Sequence, residues 1–160
     1  MNEKYTIFLD MDQVLSDFDK RFFEVFGVNV SKNTIERCFE SFIDSKEFEN
    51  LEMMRDADVL LDFVLTNFKN VYILTSTSRP EYFSSIASQK TKWLNKHGIN
   101  IPCIFVPNSE TKRLYASKYN VLVDDFNVNC SEWSDCCGLS ILHTDAERTI
   151  KSLKKLLDSD

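Results

Sequence analysis

Short apolar runs alternate with amphipathic stretches along almost the whole chain, and this alternation constrains the fold more than any other feature. Residues 4–10 (KYTIFLD), 71–75 (VYILT), 102–106 (PCIFV), 121–124 (VLVD) and 139–143 (LSILH) read as buried strands. Residues 58–68, 81–97 and 145–157 carry apolar positions at helical spacing; Ile150, Leu153, Leu156 and Leu157 share one face of the last. Gly98 stands where a helix-ending glycine is expected. Strands that alternate with helices predict an α/β class, a Rossmann-like parallel sheet flanked by helices. One segment, residues 18–55, contains no good strand but holds Phe22, Phe23, Phe26, Phe39, Phe42 and Phe48. It predicts a small helical cap inserted after the first strand. No repeat or flexible linker divides the 160 residues, so one domain is expected over 1–160, its loops short because Gly and Pro number only 3 each.

Two acidic clusters each follow an apolar run directly. Asp10 and Asp12 follow the first, and Asp124 and Asp125 close the fourth. Parallel sheets bind ligands beyond the carboxyl ends of their strands, where strand order reverses. If strands one and four are neighbours, four carboxylates meet in one crevice, and their repulsion calls for a cation or shifted pKa values. An oxygen-only ligand set favours Mg²⁺ over zinc or copper. Asp also ends strands for ordinary turn reasons, so a single DxD carries little; the pair of clusters carries much more. Thr75 ends the second strand and leads into Ser76, Thr77 and Ser78, hydroxyls that suit phosphate oxygens or, more plainly, a polar turn with a helix cap. Lys90 and Lys112, taken alone, read as solvated surface lysines.

The formal net charge of -6 disfavours bulk nucleic acid, duplex included, and favours a small anionic substrate. The apolar N-terminal stretch is too short for a signal peptide or a membrane span. Five Cys without paired spacing predict reduced thiols and a cytoplasmic setting; Cys130, Cys136 and Cys137 cluster in sequence without the CxxC pairs of a zinc site. The sequence leaves the oligomeric state open, a homodimer included.

With these residues in view, the chain resembles the haloacid dehalogenase (HAD) phosphatase superfamily. Asp10-Met11-Asp12 matches its first motif, Thr75 its second, Lys90 its third and Asp124-Asp125 its fourth, in the family's order. A narrower resemblance is to the 5′(3′)-deoxyribonucleotidases, whose DMDGVLADF is read here over residues 10–18 as DMDQVLSDF. Lys90 precedes Trp93 by the spacing of that group, and DDFNVN before Trp133 is similar to its tail. Gln13 replaces the usual Gly, and the Gly- and Pro-containing exit from the cap is absent near Met53 to Asp56.

The resemblance implies a Mg²⁺-dependent phosphatase with Asp10 as nucleophile and Asp12 as general acid and base. Thr75 and Lys90 complete the catalytic set. Metal ligation falls to Asp10, the main-chain carbonyl of Asp12, Asp124 and, through a water, Asp125. Phe18 is expected to pack on a nucleotide base, with Ser76, Arg79 and Lys112 binding substrate. The alternatives are a phosphatase for another small ester or for nucleic-acid 3′ ends, and a non-catalytic module that keeps the fold.

Overall fold

A computed structural model of the chain describes residues 1–158. Five strands form one parallel sheet in the order β3-β2-β1-β4-β5: β1 Asn2–Leu9, β2 Phe68–Ser76, β3 Cys103–Val106, β4 Asn120–Asp124 and β5 Leu139–Leu142. The helices are α1 Phe18–Phe26, α2 Lys32–Asp44, α3 Ala57–Asn67, α4 Phe83–Lys96, α5 Asn127–Asp135 and α6 Ala146–Asp158. Shorter 3-10 turns occupy Glu47–Asn50, Pro80–Tyr82 and Ser109–Tyr115. The expected α/β architecture, with a helical insertion after β1, is therefore present. The last two residues of the expected 1–160 domain lie outside the described residues.

The central position of β1 explains its unbroken apolar run. Both faces of the sheet are covered, so both sets of alternating side chains must be apolar. Tyr5, Ile7 and Leu9 of β1, Val71 and Ile73 of β2, and Val121 and Val123 of β4 face the larger core, with Leu60, Val64, Ile86, Trp93 and Leu153 from the covering helices. Phe8, Leu74 and Leu122 face the other side, against Val106 and Trp133. The rings of Phe8 and Trp133 lie 5.4 Å apart. A Cβ on Gly138 would fall 2.2 Å from Trp133 Nε1, so only glycine fits there.

The insertion has an aromatic core of its own. Phe18, Phe22, Phe26 and Phe42 form a cluster whose ring centroids lie 4.9–6.3 Å apart, and Phe48 stacks on Phe18 at 5.6 Å. Phe23 is the exception, half exposed on the outer face of α1. Asp17 caps α1 by accepting from Lys20 N, and Ser31 opens α2 with a capping box completed by Thr34. The two chain segments that lead into and out of the insertion are tied together, Asp17 N donating to Glu52 O at 2.9 Å and Met54 N to Leu15 O at 2.8 Å.

Some boundaries differ from the sequence expectation. Phe68, expected at the end of a helix, starts β2 without an intervening loop, because its ring is buried in the sheet core. The segment expected to be helical from residue 81 begins as a 3-10 turn at Pro80 and becomes α4 only at Phe83. Gly98 takes φ 66° after α4, as expected of a C-terminal glycine. The stretch after Asp125, to which the sequence assigns no element, forms helix α5. Its only buried apolar positions are Cys130 and Trp133, too few to show a period. No helix among the described residues is long and apolar enough to cross a membrane.

Candidate active site

Strand pairing brings the two acidic clusters together. Asp10 follows the last residue of β1, and its N–H donates to Val123 O of β4 at 2.9 Å. That bond fixes the end of β1 beside Asp124, at the point where the chain's strand order reverses about β1. Asp10 and Asp124 are buried and Asp125 lies exposed at the rim. One carboxylate oxygen from each of the three lies within 4.8 Å of the others. Asp12 is outside this side-chain cluster; its expected contribution to a metal is the main-chain carbonyl.

The electrostatics follow from this crowding. Burial, then the charges of Asp124 and Asp12, push the Asp10 carboxyl up to about 6 against the pull of Lys112. Asp125 is exposed as a residue, but its carboxyl lies against the other two acids; partial desolvation there, then the charges of Asp10 and Asp124, push it up to about 7. Both groups are held in a site that disfavours their charge.

Lys112 and Lys90 are not the surface lysines that sequence alone suggests; they are 3% and 1% exposed. Lys112 sits in the 3-10 turn Ser109–Tyr115, which Asn108 caps by accepting from Thr111 N. Its Nζ lies 2.8 Å from Asp10 Oδ1 and 2.7 Å from Asp124 Oδ2. Burial opposes its charge, but Asp10 and Asp124 outweigh burial and raise its pKa. The structure thus joins Lys112 to the acidic cluster. Lys90 reaches in from α4. Its Nζ donates to Asp12 Oδ2 at 2.8 Å, Thr75 Oγ1 at 2.7 Å and Ser76 O at 3.0 Å.

The loop after β1 is held by main-chain bonds to Met11 O from Leu15 N at 2.8 Å and Ser16 N at 2.9 Å. Gln13 itself adopts φ 64°, the left-handed conformation that a glycine there would adopt without strain. Ser16 Oγ donates to Asp12 Oδ1 at 3.1 Å, so both Asp12 oxygens are positioned, one by Ser16 and one by Lys90. Ser76 Oγ accepts from Ser78 N at 2.8 Å and keeps its own proton to donate. Arg79 lies against the cap, its guanidinium 5.8 Å from the Phe39 ring centre. Phe18 is partly buried, with one face stacked on Phe48; only its remaining surface is open to a ligand.

Two positioning residues went unassigned in the sequence. Asn129 of α5 donates to both oxygens of Asp124 at 3.1 Å, and Phe126 N donates to Oδ1 at 2.9 Å. Asn129 lies in the DDFNVN tail, five residues past Asp124, a spacing that could have pointed to it. Gln89, also buried, ties the cap to α4: it accepts from Phe48 N at 3.3 Å and donates to Ile43 O at 2.8 Å. Trp93 Nε1 adds a bond to Leu51 O at 2.7 Å. Lys90 Nζ also lies 5.3 Å from the Phe48 ring centre, so the cap roofs the lysine that holds Asp12.

No protein-family model matches the chain, and no curated protein matches it in sequence. Solved structures do match. A hydrolase from Pseudomonas syringae shares 12% identity at a TM-score of 0.60, with 95% of this chain and 99% of that one covered. A hydrolase from Streptococcus pneumoniae TIGR4 shares 14% identity at 0.53, with 97% and 99% covered. The D,D-heptose 1,7-bisphosphate phosphatase from Burkholderia thailandensis shares 9% identity at 0.54, with 94% and 98% covered. At these identities the likeness is one of fold, over essentially the whole of each chain. The chain shares the fold of these three proteins. The narrower resemblance to deoxyribonucleotidases has no counterpart among these three.

Proposed function

We propose that this chain is a Mg²⁺-dependent phosphomonoester hydrolase that carries the phosphoryl group transiently on Asp10. The observation that carries the reading is the meeting of Asp10, Asp124 and Asp125 at two adjacent strand ends, beside a separate cluster of Asp12, Thr75 and Lys90. The donor set fits a hard divalent cation: three carboxylates, no nitrogen or sulfur ligand among the described residues, and two carboxyls whose proton affinity the site has raised. Asp10, Asp124 and Asp125 would hold Mg²⁺, with the Asp12 main-chain carbonyl. When bound, the ion neutralises carboxylate and phosphate charge so that one anion can approach another.

The protein's own groups do the rest. Asp10 attacks phosphorus and the ester oxygen leaves, giving an aspartyl-phosphate that water then hydrolyses. Asp12 gives its proton to the leaving oxygen and recovers one from the attacking water. Thr75 and Ser76 offer hydroxyl protons to the non-bridging oxygens. Lys90, bonded to Asp12 in the free protein, is shared with the phosphoryl group when substrate is seated. Lys112 and Asn129 keep Asp10 and Asp124 in register. The cap covers the leaving group and excludes water.

Deoxyribonucleoside 5′(3′)-monophosphates are the substrates that the motif run over residues 10–18 favours, with Phe18 offering its open surface to a base. A second reading, another small phosphate ester or a nucleic-acid 3′-phosphate end, is favoured by the Phe18–Phe48 stack, which occupies one face of that ring. The five cysteines, free of disulfides, support a reducing, cytoplasmic setting. Release of inorganic phosphate from a panel of nucleotides and sugar phosphates, with and without Mg²⁺, tests the proposal. Mg²⁺-dependent release that Asp10→Asn abolishes in a folded variant supports it. Undiminished release by that variant removes it.

A further inference from the structure

Gln89, Lys92 and Trp93 share one face of α4 through their helical spacing, and all three hold the cap. Gln89 is buried; it accepts from Phe48 N at 3.3 Å and donates to Ile43 O at 2.8 Å. Trp93 is fully buried, and its Nε1 donates to Leu51 O at 2.7 Å. Lys92 Nζ meets Glu49 Oε1 at 2.9 Å at the open edge of the same seam. The two linkers are fixed to each other as well: between the bonds of Asp17 N to Glu52 O and Met54 N to Leu15 O, Ser16 pairs with Met53. Phe42, Phe48 and Leu51 of the cap lie in one buried cluster with Leu9, Ile86 and Trp93, so the aromatic core of the cap is continuous with the core against the sheet. A swing of the cap off α4 would open that core to water and strip Gln89 of its main-chain partners.

The site stays reachable with the cap seated in this way. The Asp12 side chain is 30% exposed, although Lys90, which holds it, is buried under Phe48. Asp125 lies open at the rim. The attachments of the cap are one-sided. They run to α4, which connects β2 to β3, and among the described residues no hydrogen bond or ion pair joins the cap to β4, α5 or β5. The roofed side of the site therefore carries Thr75 and Lys90, and the open side carries Asp125.

We infer that the cap is a fixed wall and not a lid. It stays on α4 through turnover, and the substrate enters and the products leave on the Asp125 side, past the ends of β4 and β5. Turnover then contains no opening or closing step. The space between the cap and the strand ends is preformed, so a leaving group must fit it as it stands. The fixity of the cap does not depend on the phosphatase reading; its consequence for turnover rests on that reading.

The test locks the seam. Glu49→Cys and Lys92→Cys are introduced together with Cys136→Ser and Cys137→Ser, which remove the exposed native thiols, and the new pair is joined by a short bismaleimide. With Mg²⁺, kcat/KM for p-nitrophenyl phosphate and for a deoxynucleoside 5′-monophosphate is expected to stay within about threefold of the same protein before cross-linking. A larger fall overturns the inference. Hydrogen exchange of the unmodified chain supplies a second reading. The amides of Phe48, Asp17 and Met54 are expected to exchange as slowly as that of Asp10, which is bonded within the sheet. Fast exchange at the first three while Asp10 stays protected also overturns it. If neither ester is hydrolysed, the phosphatase reading falls, and the exchange rates alone decide whether the cap is fixed.

Discussion

Lys112 Nζ and Asp124 Oδ2 lie 2.7 Å apart, with neither side chain open to solvent. The same ammonium holds Asp10, so one buried cation stands between the two strand ends that carry the acids. Replacing Lys112 by Met leaves two buried carboxylates without their partner. Breaking a pair of this kind costs roughly 3–5 kcal/mol. The variant is expected to melt well below wild type without metal and to recover part of the loss in saturating Mg²⁺. Equal melting of the two proteins in EDTA would show that Lys112 does not hold the cluster together.

The raised carboxyls give the stability a distinctive pH dependence. Asp10 and Asp125, with pKa values pushed to about 6 and about 7, bind protons more tightly in the folded state than in the unfolded chain, where an Asp titrates near about 4. Folded protein therefore carries the extra protons, and these groups lose stability as pH rises between about 4 and about 7. His97 and His143, whose pKa values burial lowers, act in the opposite direction. The informative quantity is thus a difference. Asp125→Asn is expected to gain on wild type in urea midpoint between about pH 5 and about pH 8 without metal. Mg²⁺ needs the ionised carboxylates, so its stabilisation of wild type is expected to be larger at the higher pH. A shift of the same size at both would contradict the site's proton occupancy.

Asp12 is positioned by Ser16 and Lys90 rather than by the acidic cluster, which separates its work from that of Asp10. General acid catalysis is worth about 10²–10⁴-fold. Asp12→Asn is expected to lose that much on an alkyl phosphate, whose leaving oxygen needs a proton, and much less on p-nitrophenyl phosphate, whose leaving group is a weak base. The two rate ratios, measured side by side, check the assignment; equal losses on both esters would count against it.

Gln89 joins the cap to α4 from a buried position; two of its three partners are main-chain groups of the cap, and the third is Ser85 Oγ of α4. Removing it leaves Phe48 N and Ile43 O unpaired, at about 1–3 kcal/mol for buried groups. In Gln89→Ala the Phe48 amide is expected to exchange with solvent deuterium much faster, with amides of β1 and β4 slowed or unchanged relative to it. Uniform acceleration across the sheet would mean that cap and sheet unfold as a single unit.

Much of this arrangement was legible in the sequence, for stated reasons. The strand ends at Asp10, Thr75 and Asp124 showed because buried parallel strands are apolar until they stop, and the first polar residue marks the stop. The cap showed because Phe residues at helical spacing break the strand alternation. The two lysines were singled out only through the family resemblance and not by the residue pattern, since a lysine's burial depends on acids distant in sequence: Asp12 lies 78 residues from Lys90. Helix α5 was hidden by its polar sequence, and with it Asn129. Phe18 reads equally well as a base platform and as cap core until the ring stacks on Phe48 are seen.

The most direct measurement is acid quenching during turnover, followed by peptide mass spectrometry to find the acid-stable, hydroxylamine-labile phosphoryl group. The account requires it on the peptide that contains Asp10, formed only with Mg²⁺ and absent from Asp10→Asn. A phosphoryl group on another residue, or turnover at full rate with none on Asp10, contradicts it.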